Sequence, residues 1–151
     1  MQLMERVYTL NDIDVVAREL LASCGVPHSE HAMLCALKGD LGVGKTTLVQ
    51  ALARALGVME TVTSPTFILE KVYGLKDQAF KRLVHIDAYR FERPEEIEVL
   101  GWKNDLILAP ENLIVLEWPE RVAALLPQQT QFFELAIIDE NTRRLSYGHK
   151  T

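Results

Sequence analysis

A chain of 151 residues with a formal net charge of -5 is long enough for one domain with a substantial core. Its apolar fraction of 48% and charged fraction of 25% exclude a disordered or repetitive chain, so we expect a single domain over residues 1–151. The negative net charge disfavours tight, direct binding to nucleic acid, whose phosphates carry the same sign.

The first predicted element is an amphipathic helix that begins near Ile13. Apolar residues recur at helical spacing up to Cys24, with Asn11 or Asp12 as the cap and Gly25 as the terminator. An apolar run over residues 33–37 then predicts a buried strand.

The next segment is a phosphate-binding loop. It reads Gly39-Asp40-Leu41-Gly42-Val43-Gly44-Lys45-Thr46 and matches the pattern G-x-x-x-x-G-K-[ST]. A predicted helix over residues 47–56 follows and ends at Gly57, which supplies the strand, loop and helix order that the motif requires. The loop amides and the helix N-terminus would bind an anion, with Lys45 reaching the outer phosphates and the Thr46 hydroxyl binding magnesium.

Strands and short helices alternate through the rest of the chain. Strands are predicted at residues 67–73, 83–87 and 113–117, and Pro94 and Pro119 each open a helix. The tail predicts an antiparallel hairpin with strands at residues 132–138 and 144–147. The pattern indicates an α/β fold of the P-loop NTPase type, a three-layer sandwich whose mainly parallel sheet gains antiparallel strands from the C-terminal hairpin.

Two acids at predicted strand ends are candidates for the magnesium side of the site. Glu117 follows four apolar residues, whereas Asp87 follows a run that His85 interrupts. Ligands of such sheets bind at the carboxyl ends of the strands, so either acid can lie beside the phosphate loop. Glu117 is the better match, and both acids are expected at an open edge that contributes little to the core. His85 itself is interpreted as a partly buried strand residue.

Two further segments have alternative interpretations. The sequence Thr63-Ser64-Pro65-Thr66 fits a switch loop that senses a terminal phosphate, and it equally fits an ordinary turn. Trp118 fits core packing or a platform near a nucleotide. Basic residues between Lys71 and Arg93 fit a solvated surface better than a basic patch.

The same features predict the compartment. No apolar stretch is long enough for a membrane helix, and the first residues lack the pattern of a secretory signal, so we expect a cytoplasmic protein without membrane contact. Cys24 and Cys35 lack metal-binding spacing and are expected to be reduced, buried and structural.

Four motifs in series carry a resemblance to a known family. They are the phosphate loop through Thr47, then Ser64-Pro65-Thr66-Phe67, then His85-Ile86-Asp87-Ala88-Tyr89-Arg90, then Glu117-Trp118-Pro119-Glu120. Over residues 5–147 the chain resembles the bacterial TsaE (formerly YjeE) P-loop ATPases. These ATPases are needed for threonylcarbamoyl modification of adenosine 37 in tRNAs that read codons beginning with A.

The resemblance implies ATP and Mg²⁺ as cofactors and assigns a role to each matched residue. Lys45 and the loop amides would hold the ATP phosphates, and Thr46 and Glu117 would hold magnesium. Asp87 and Thr66 would lie beside the terminal phosphate. Trp118 would lie near the nucleotide, with Thr9 and Arg121 contacting the base.

The resemblance also implies an indirect role in tRNA modification. ATP hydrolysis would reset the modifying enzyme within a complex containing TsaB and TsaD, and the chain itself would not bind tRNA tightly. A GTPase is disfavoured because the N-K-x-D guanine motif is absent from the sequence. The alternative function, a small P-loop kinase of a metabolite, is disfavoured because the sequence shows no arginine-rich lid segment. A nucleotide-binding module without hydrolysis is disfavoured because Lys45, Thr46 and two strand-end acids are all present.

Overall fold

The computed structural model describes residues 2–60 and 70–149. The strands are β1 (Gln2–Thr9), β2 (Met33–Lys38), β3 (Glu70–Gly74), β4 (Arg82–Asp87), β5 (Asn112–Glu117), β6 (Gln131–Asp139) and β7 (Thr142–His149). The α-helices are α1 (Ile13–Cys24) and α2 (Lys45–Ala55). Shorter 3-10 helices cover Leu10–Asp12, Pro94–Leu100 and Pro119–Leu125, and a π-helix covers Trp102–Ile107.

The strands form one mixed sheet in the order β1-β7-β6-β2-β5-β4-β3. Strands β6, β2, β5 and β4 pair in parallel, whereas β1 with β7, β6 with β7, and β3 with β4 pair antiparallel. The expected α/β class and the antiparallel C-terminal hairpin are confirmed. The expectation of a mainly parallel sheet is wrong, because both sheet edges carry antiparallel strands.

The helix α1 has the predicted bounds, Ile13–Cys24. Asp12 precedes its first residue, and Gly25 ends it with φ of 75°, a left-handed conformation that glycine adopts without steric cost. The helix places Ile13, Val16 and Leu20 in the core. Among the described residues, the structure contains no helix with the length and apolar character that crossing a membrane requires.

Two hydrophobic cores lie on the two faces of the sheet. Alternate residues of β2 divide between them, with Cys35 and Leu37 in the first core and Leu34 in the second. The first core also contains the buried residues of α1 and α2, and the second contains those of the short helices between residues 94 and 125. Because side chains alternate along a strand, each core is supplied by one face of the same strands.

Two elements escaped prediction from the sequence. Strand β1 is an edge strand whose Leu3 and Val7 are exposed, so its apolar residues do not mark a buried face. The π-helix at Trp102–Ile107 follows Gly101, which has φ of 73°, and buries Trp102, Leu106 and Ile107. This spacing departs from a single stripe at the α-helical period, which explains why periodicity did not indicate a helix.

The two cysteines are buried and free, as the sequence predicts. Cys24 ends α1 and Cys35 lies in β2, and their Sγ atoms are 2.9 Å apart within the first core. Burial and the contact with Cys24 raise the pKa of the Cys35 thiol well above its ordinary value, with the contact the larger cause. The two free cysteines therefore pack α1 against the sheet.

The first core should determine the stability of the fold. Leu52 of α2 is fully buried there, so Leu52→Ala should lower the free energy of unfolding by about 2–5 kcal/mol through lost burial and a residual cavity. Leu108, which is 50% exposed, offers a matched control, and Leu108→Ala should change stability by about 0.5 kcal/mol or less. Urea denaturation of both variants measures the difference. Equal effects would contradict the assignment of the core.

Candidate functional site

The sheet brings the phosphate loop and both predicted acids to one edge. Leu37 of β2 pairs with Glu117 of β5, and Asp87 of β4 pairs with the same glutamate. The phosphate loop leaves β2 directly after Lys38. All three strands run in parallel, so the loop and both acids meet at the carboxyl ends of neighbouring strands.

The loop connects β2 to α2 through backbone shapes that only glycine tolerates well. Gly44 has φ of 108° directly before the first residue of α2. At Gly39 a Cβ atom would lie 2.7 Å from Val43 Cγ1 and 3.0 Å from the Leu135 carbonyl oxygen, so no side chain fits. Helix α2 begins at Lys45, and its positive N-terminal end therefore adjoins the loop.

Lys45 is 5% exposed and lies folded against its own loop. Its Nζ donates a hydrogen bond to the Gly39 carbonyl oxygen and lies 3.7 Å from the ring centroid of Trp118. Burial lowers the pKa of Lys45, and the carboxylates of Glu117, Glu120 and others oppose this change. The lysine is thus a desolvated cation surrounded by acids, which is suited to exchange these contacts for an anion.

Glu117 is the acid that the structure joins to the loop. One oxygen, Oε1, accepts a hydrogen bond of 3.4 Å from Thr46 Oγ1, and the other, Oε2, lies 2.5 Å from His85 Nε2. Glu117 is only 2% exposed, so the expectation that both acids lie at an open edge is wrong for this one. Its side chain lies on the face of the sheet that α2 covers, and its Oε2 atom is held there by His85.

Asp87 lies beside Glu117 in the sheet and is more exposed. Its Oδ1 accepts a hydrogen bond of 3.0 Å from the Tyr89 amide, which holds the carboxylate at the turn after β4. The neighbouring Ala88 amide donates to the Glu117 carbonyl oxygen at 3.0 Å. The two acids therefore occupy distinct positions: Glu117 is buried beside the loop, and Asp87 is more exposed at the carboxyl end of β4.

Trp118 joins the site to the second core. It has a left-handed backbone with φ of 60°, which costs on the order of 1 kcal/mol or more for a residue other than glycine. Its ring packs against the second core and lies 5.0 Å from the Tyr89 ring, between centroids. The ring packs on the core and also contacts Lys45, so the core-packing interpretation of Trp118 is confirmed. Its place near a nucleotide stays a prediction.

A cavity of about 620 Å³ adjoins the loop. Its walls are residues of the turn between β1 and α1, the loop with Thr47, and the turn between β6 and β7. Thr9 lines this cavity, whereas Arg121 lies with its guanidinium 5.7 Å from the Tyr89 ring centroid and does not line it. The base contacts that the family resemblance implies for Thr9 and Arg121 stay predictions, and only Thr9 lines this cavity.

Arg143 is a residue of this site that sequence reasoning missed. Its Nε donates to the Val43 carbonyl oxygen at 2.9 Å, and its Nη1 donates to the carbonyl oxygen of Asp139 at the same distance. The arginine ties the β6–β7 turn to the phosphate loop across 100 positions of sequence. No local pattern marks such a contact.

The pairing of His85 with Glu117 was also missed, although a signal for it existed. Alternation along β4 places His85 on the same face as Asp87. The parallel neighbour β5 ends in Glu117, so pairing of the two strands brings His85 close to that acid. Thr66 and the rest of the segment 63–66 lie outside the described residues, so their predicted role stays a prediction.

A comparison with protein-family models identifies the chain's relatives. The model for "Threonylcarbamoyl adenosine biosynthesis protein TsaE" matches residues 9–145. The tRNA threonylcarbamoyladenosine biosynthesis protein TsaE of Treponema pallidum is 34% identical over 117 residues, which are 78% of this chain and 82% of that protein. Its namesake in Haemophilus influenzae is 36% identical over 101 residues, which are 67% of this chain and 61% of that protein.

A solved structure shares the fold. The crystal structure of YdiB from Bacillus subtilus superposes with a TM-score of 0.67, covering 97% of this chain and 84% of that one, at 20% sequence identity. The match of the family model extends from the end of β1 into β7 and includes the loop, both acids and Arg143. The resemblance in the sequence is confirmed, and the chain belongs to the TsaE family.

Proposed function

We propose that this chain is a P-loop ATPase, built as the three-layer sandwich of that class, that serves threonylcarbamoyl modification of adenosine 37 in tRNAs reading codons that begin with A. The observation that carries the proposal is the convergence of Lys45, Thr46 and Glu117 at the glycine loop. The names of the relatives in Treponema pallidum and Haemophilus influenzae support the same pathway.

The loop supplies the contacts that a polyphosphate requires. Its amides and the N-terminus of α2 would hold the phosphate oxygens, and Lys45 would exchange its bond to the Gly39 carbonyl oxygen for a phosphate oxygen. The cavity lined by Thr9 is adjacent to the loop and is large enough for a nucleoside. Arg121, which lies over the Tyr89 ring, would contact the nucleotide from outside this cavity.

The donors at Thr46 and Glu117 fit magnesium. Both are oxygen atoms, they lie 3.4 Å apart, and the loop is beside them. Residues 2–60 and 70–149 contain no group of three or more His, Cys, Asp or Glu residues that could hold a metal ion, so the proposed ion would be held mainly by phosphates and a few protein oxygens. Magnesium, when bound, would neutralise charge on the phosphate oxygens.

Hydrolysis requires a group that orients water near the terminal phosphate. Asp87 is the candidate in the described site, because it lies beside Glu117 at the more exposed sheet edge. Thr66 is the second candidate by family resemblance. Glu117, with both oxygens engaged and nearly no exposure, is better placed to bind magnesium than to orient a water molecule.

The role in modification would be indirect and cytoplasmic. The net charge of -5 opposes tight binding to tRNA, so the chain would act through the TsaB and TsaD proteins. In that complex, ATP hydrolysis would reset the modifying enzyme between turnovers. The energy source and the tRNA-binding surface would thus belong to different chains.

Nucleotide hydrolysis with and without TsaB and TsaD tests this proposal, using ATP and GTP in parallel with magnesium. We expect tighter binding of ATP than GTP and hydrolysis that the partners accelerate. Lys45→Ala should weaken ATP binding by about 2 kcal/mol, roughly 30-fold, because a charge-assisted contact is lost.

Lys38→Ala is the matched control for that experiment. Lys38 directly precedes the loop, but its Nζ lies over Phe132, 5.0 Å from the ring centroid. The control should keep its ATP affinity. Equal affinity for ATP and GTP, or unchanged binding and hydrolysis in Lys45→Ala, would refute the proposal.

The two acids should affect different steps. Glu117→Gln should lower magnesium-dependent ATP affinity, because a neutral amide is a poorer ligand for a divalent cation. Asp87→Asn, which keeps the acceptor for the Tyr89 amide, should slow single-turnover hydrolysis more than it weakens binding. Titrations with magnesium and single-turnover assays, with partners present, compare the variants. The opposite pattern would reverse the two assignments.

Arg143 should stabilise the conformation of the loop through its hydrogen bond to Val43. Arg143→Ala removes the bond to the Val43 carbonyl oxygen and those to the β6–β7 turn, so ATP affinity should fall by roughly 5-fold, equivalent to about 1 kcal/mol. Arg144 is exposed and alternates to the other face of β7, so Arg144→Ala should bind ATP normally. Isothermal titration of both variants decides whether Arg143 shapes the loop. Indistinguishable affinities would show that it does not.

A further inference from the structure

We propose that His85 is a positioning residue that holds Glu117 in the orientation in which its other oxygen, Oε1, faces Thr46. The inference rests on the proposed function, in which Thr46 and Glu117 together bind magnesium. His85 would not touch the nucleotide or the ion, and it would act only through the carboxylate.

The two oxygens of the Glu117 carboxylate have different partners, one that positions the side chain and one at the proposed magnesium site. Oε2 lies 2.5 Å from His85 Nε2, and Oε1 lies 3.4 Å from Thr46 Oγ1. A glutamate side chain has three rotatable bonds, so one short bond to Oε2 fixes the plane of the carboxylate and the direction of Oε1. The longer contact to Thr46 is the weaker one and the easier to exchange.

His85 is located where it can support the carboxylate without reaching the ligand. In the register of β4 and β5, His85 pairs with Val115, two residues before Glu117, so the ring lies deeper in the sheet than the carboxylate. Its exposed fraction is 0%. Thr46, the second residue of α2, contacts the other oxygen of the same carboxylate.

The lack of a described partner for the second ring nitrogen, Nδ1, indicates that His85 is present for its contact with Glu117. Nδ1 is buried and has no hydrogen-bond partner within residues 2–60 and 70–149. A carboxylate oxygen accepts, so Nε2 donates, and the ring contributes this single bond to the described structure. Leaving a buried polar atom without a partner is unfavourable, so core packing alone would favour an apolar side chain like those of Val84 and Ile86 on the same strand.

Substitutions that keep or remove one nitrogen test this inference. His85→Gln places an amide nitrogen near the position of Nε2, whereas His85→Met has a similar length and no donor. His85→Asn places its amide near Nδ1, the atom that makes no described contact. We expect His85→Met and His85→Asn to lose magnesium-dependent ATP affinity by roughly 10-fold or more, and His85→Gln to recover most of it.

The measurement is ATP affinity over a series of magnesium concentrations, with a parallel series in EDTA. Affinity in EDTA should be equal in all variants, because His85 does not contact the nucleotide. Equal magnesium dependence in the Gln and Met variants would overturn the inference, whether both keep it or both lose it. The Gln and Met variants retain a side chain of comparable volume, so this comparison stands even if the Asn variant does not fold.

Glu117→Gln separates this inference from the function on which it rests. If Glu117→Gln loses magnesium-dependent affinity while His85→Met keeps it, the positioning role is wrong and the metal role of Glu117 stands. If Glu117→Gln keeps that affinity, the proposed metal site is wrong, and the role of His85 is wrong with it. Loss in both, with recovery in His85→Gln, supports the positioning role.

Discussion

Parallel pairing of β2 with β5, and of β5 with β4, is the constraint on which the site depends. The register aligns Leu37, Glu117 and Asp87 across three neighbouring strands. A slip of one residue would turn Glu117 to the opposite face, towards the second core, and would break its contacts with Thr46 and His85. The alternating apolar residues of these strands, divided between two cores, are what fix this register.

Two charged side chains are buried beside the loop, where a protein core normally contains apolar groups. Lys45 and Glu117 are 5% and 2% exposed, and burying such groups costs several kcal/mol each unless they are bonded. The chain offsets that cost with a carbonyl oxygen and an aromatic face for the lysine, and with a hydroxyl and an imidazole for the glutamate. The hydrophobic cores supply the stability, and the site retains desolvated charges that respond strongly to an added anion or cation.

Local chemistry explains what the sequence could predict. The phosphate loop, the caps of α1 and the apolar strands β2, β4 and β5 each depend on residues within a few positions, so their existence and approximate bounds were predictable. The same holds for the direction of Glu117 and Asp87 towards one sheet edge. Contacts between distant segments were not predictable, because the bond from Arg143 to Val43 spans 100 positions and follows only from the order of strands. Strand β1 was missed because an edge strand exposed on much of both faces lacks a buried stripe.

The cysteine pair at the junction of α1 and β2 has a practical consequence. Cys24 and Cys35 are the two cysteines of the sequence, and both thiols are enclosed in the first core. A raised pKa at Cys35 further reduces its thiolate content at neutral pH. The native protein should therefore react slowly with maleimides and similar reagents. A cysteine introduced on an exposed position would then take a fluorescent or spin label selectively, without prior removal of the natural thiols.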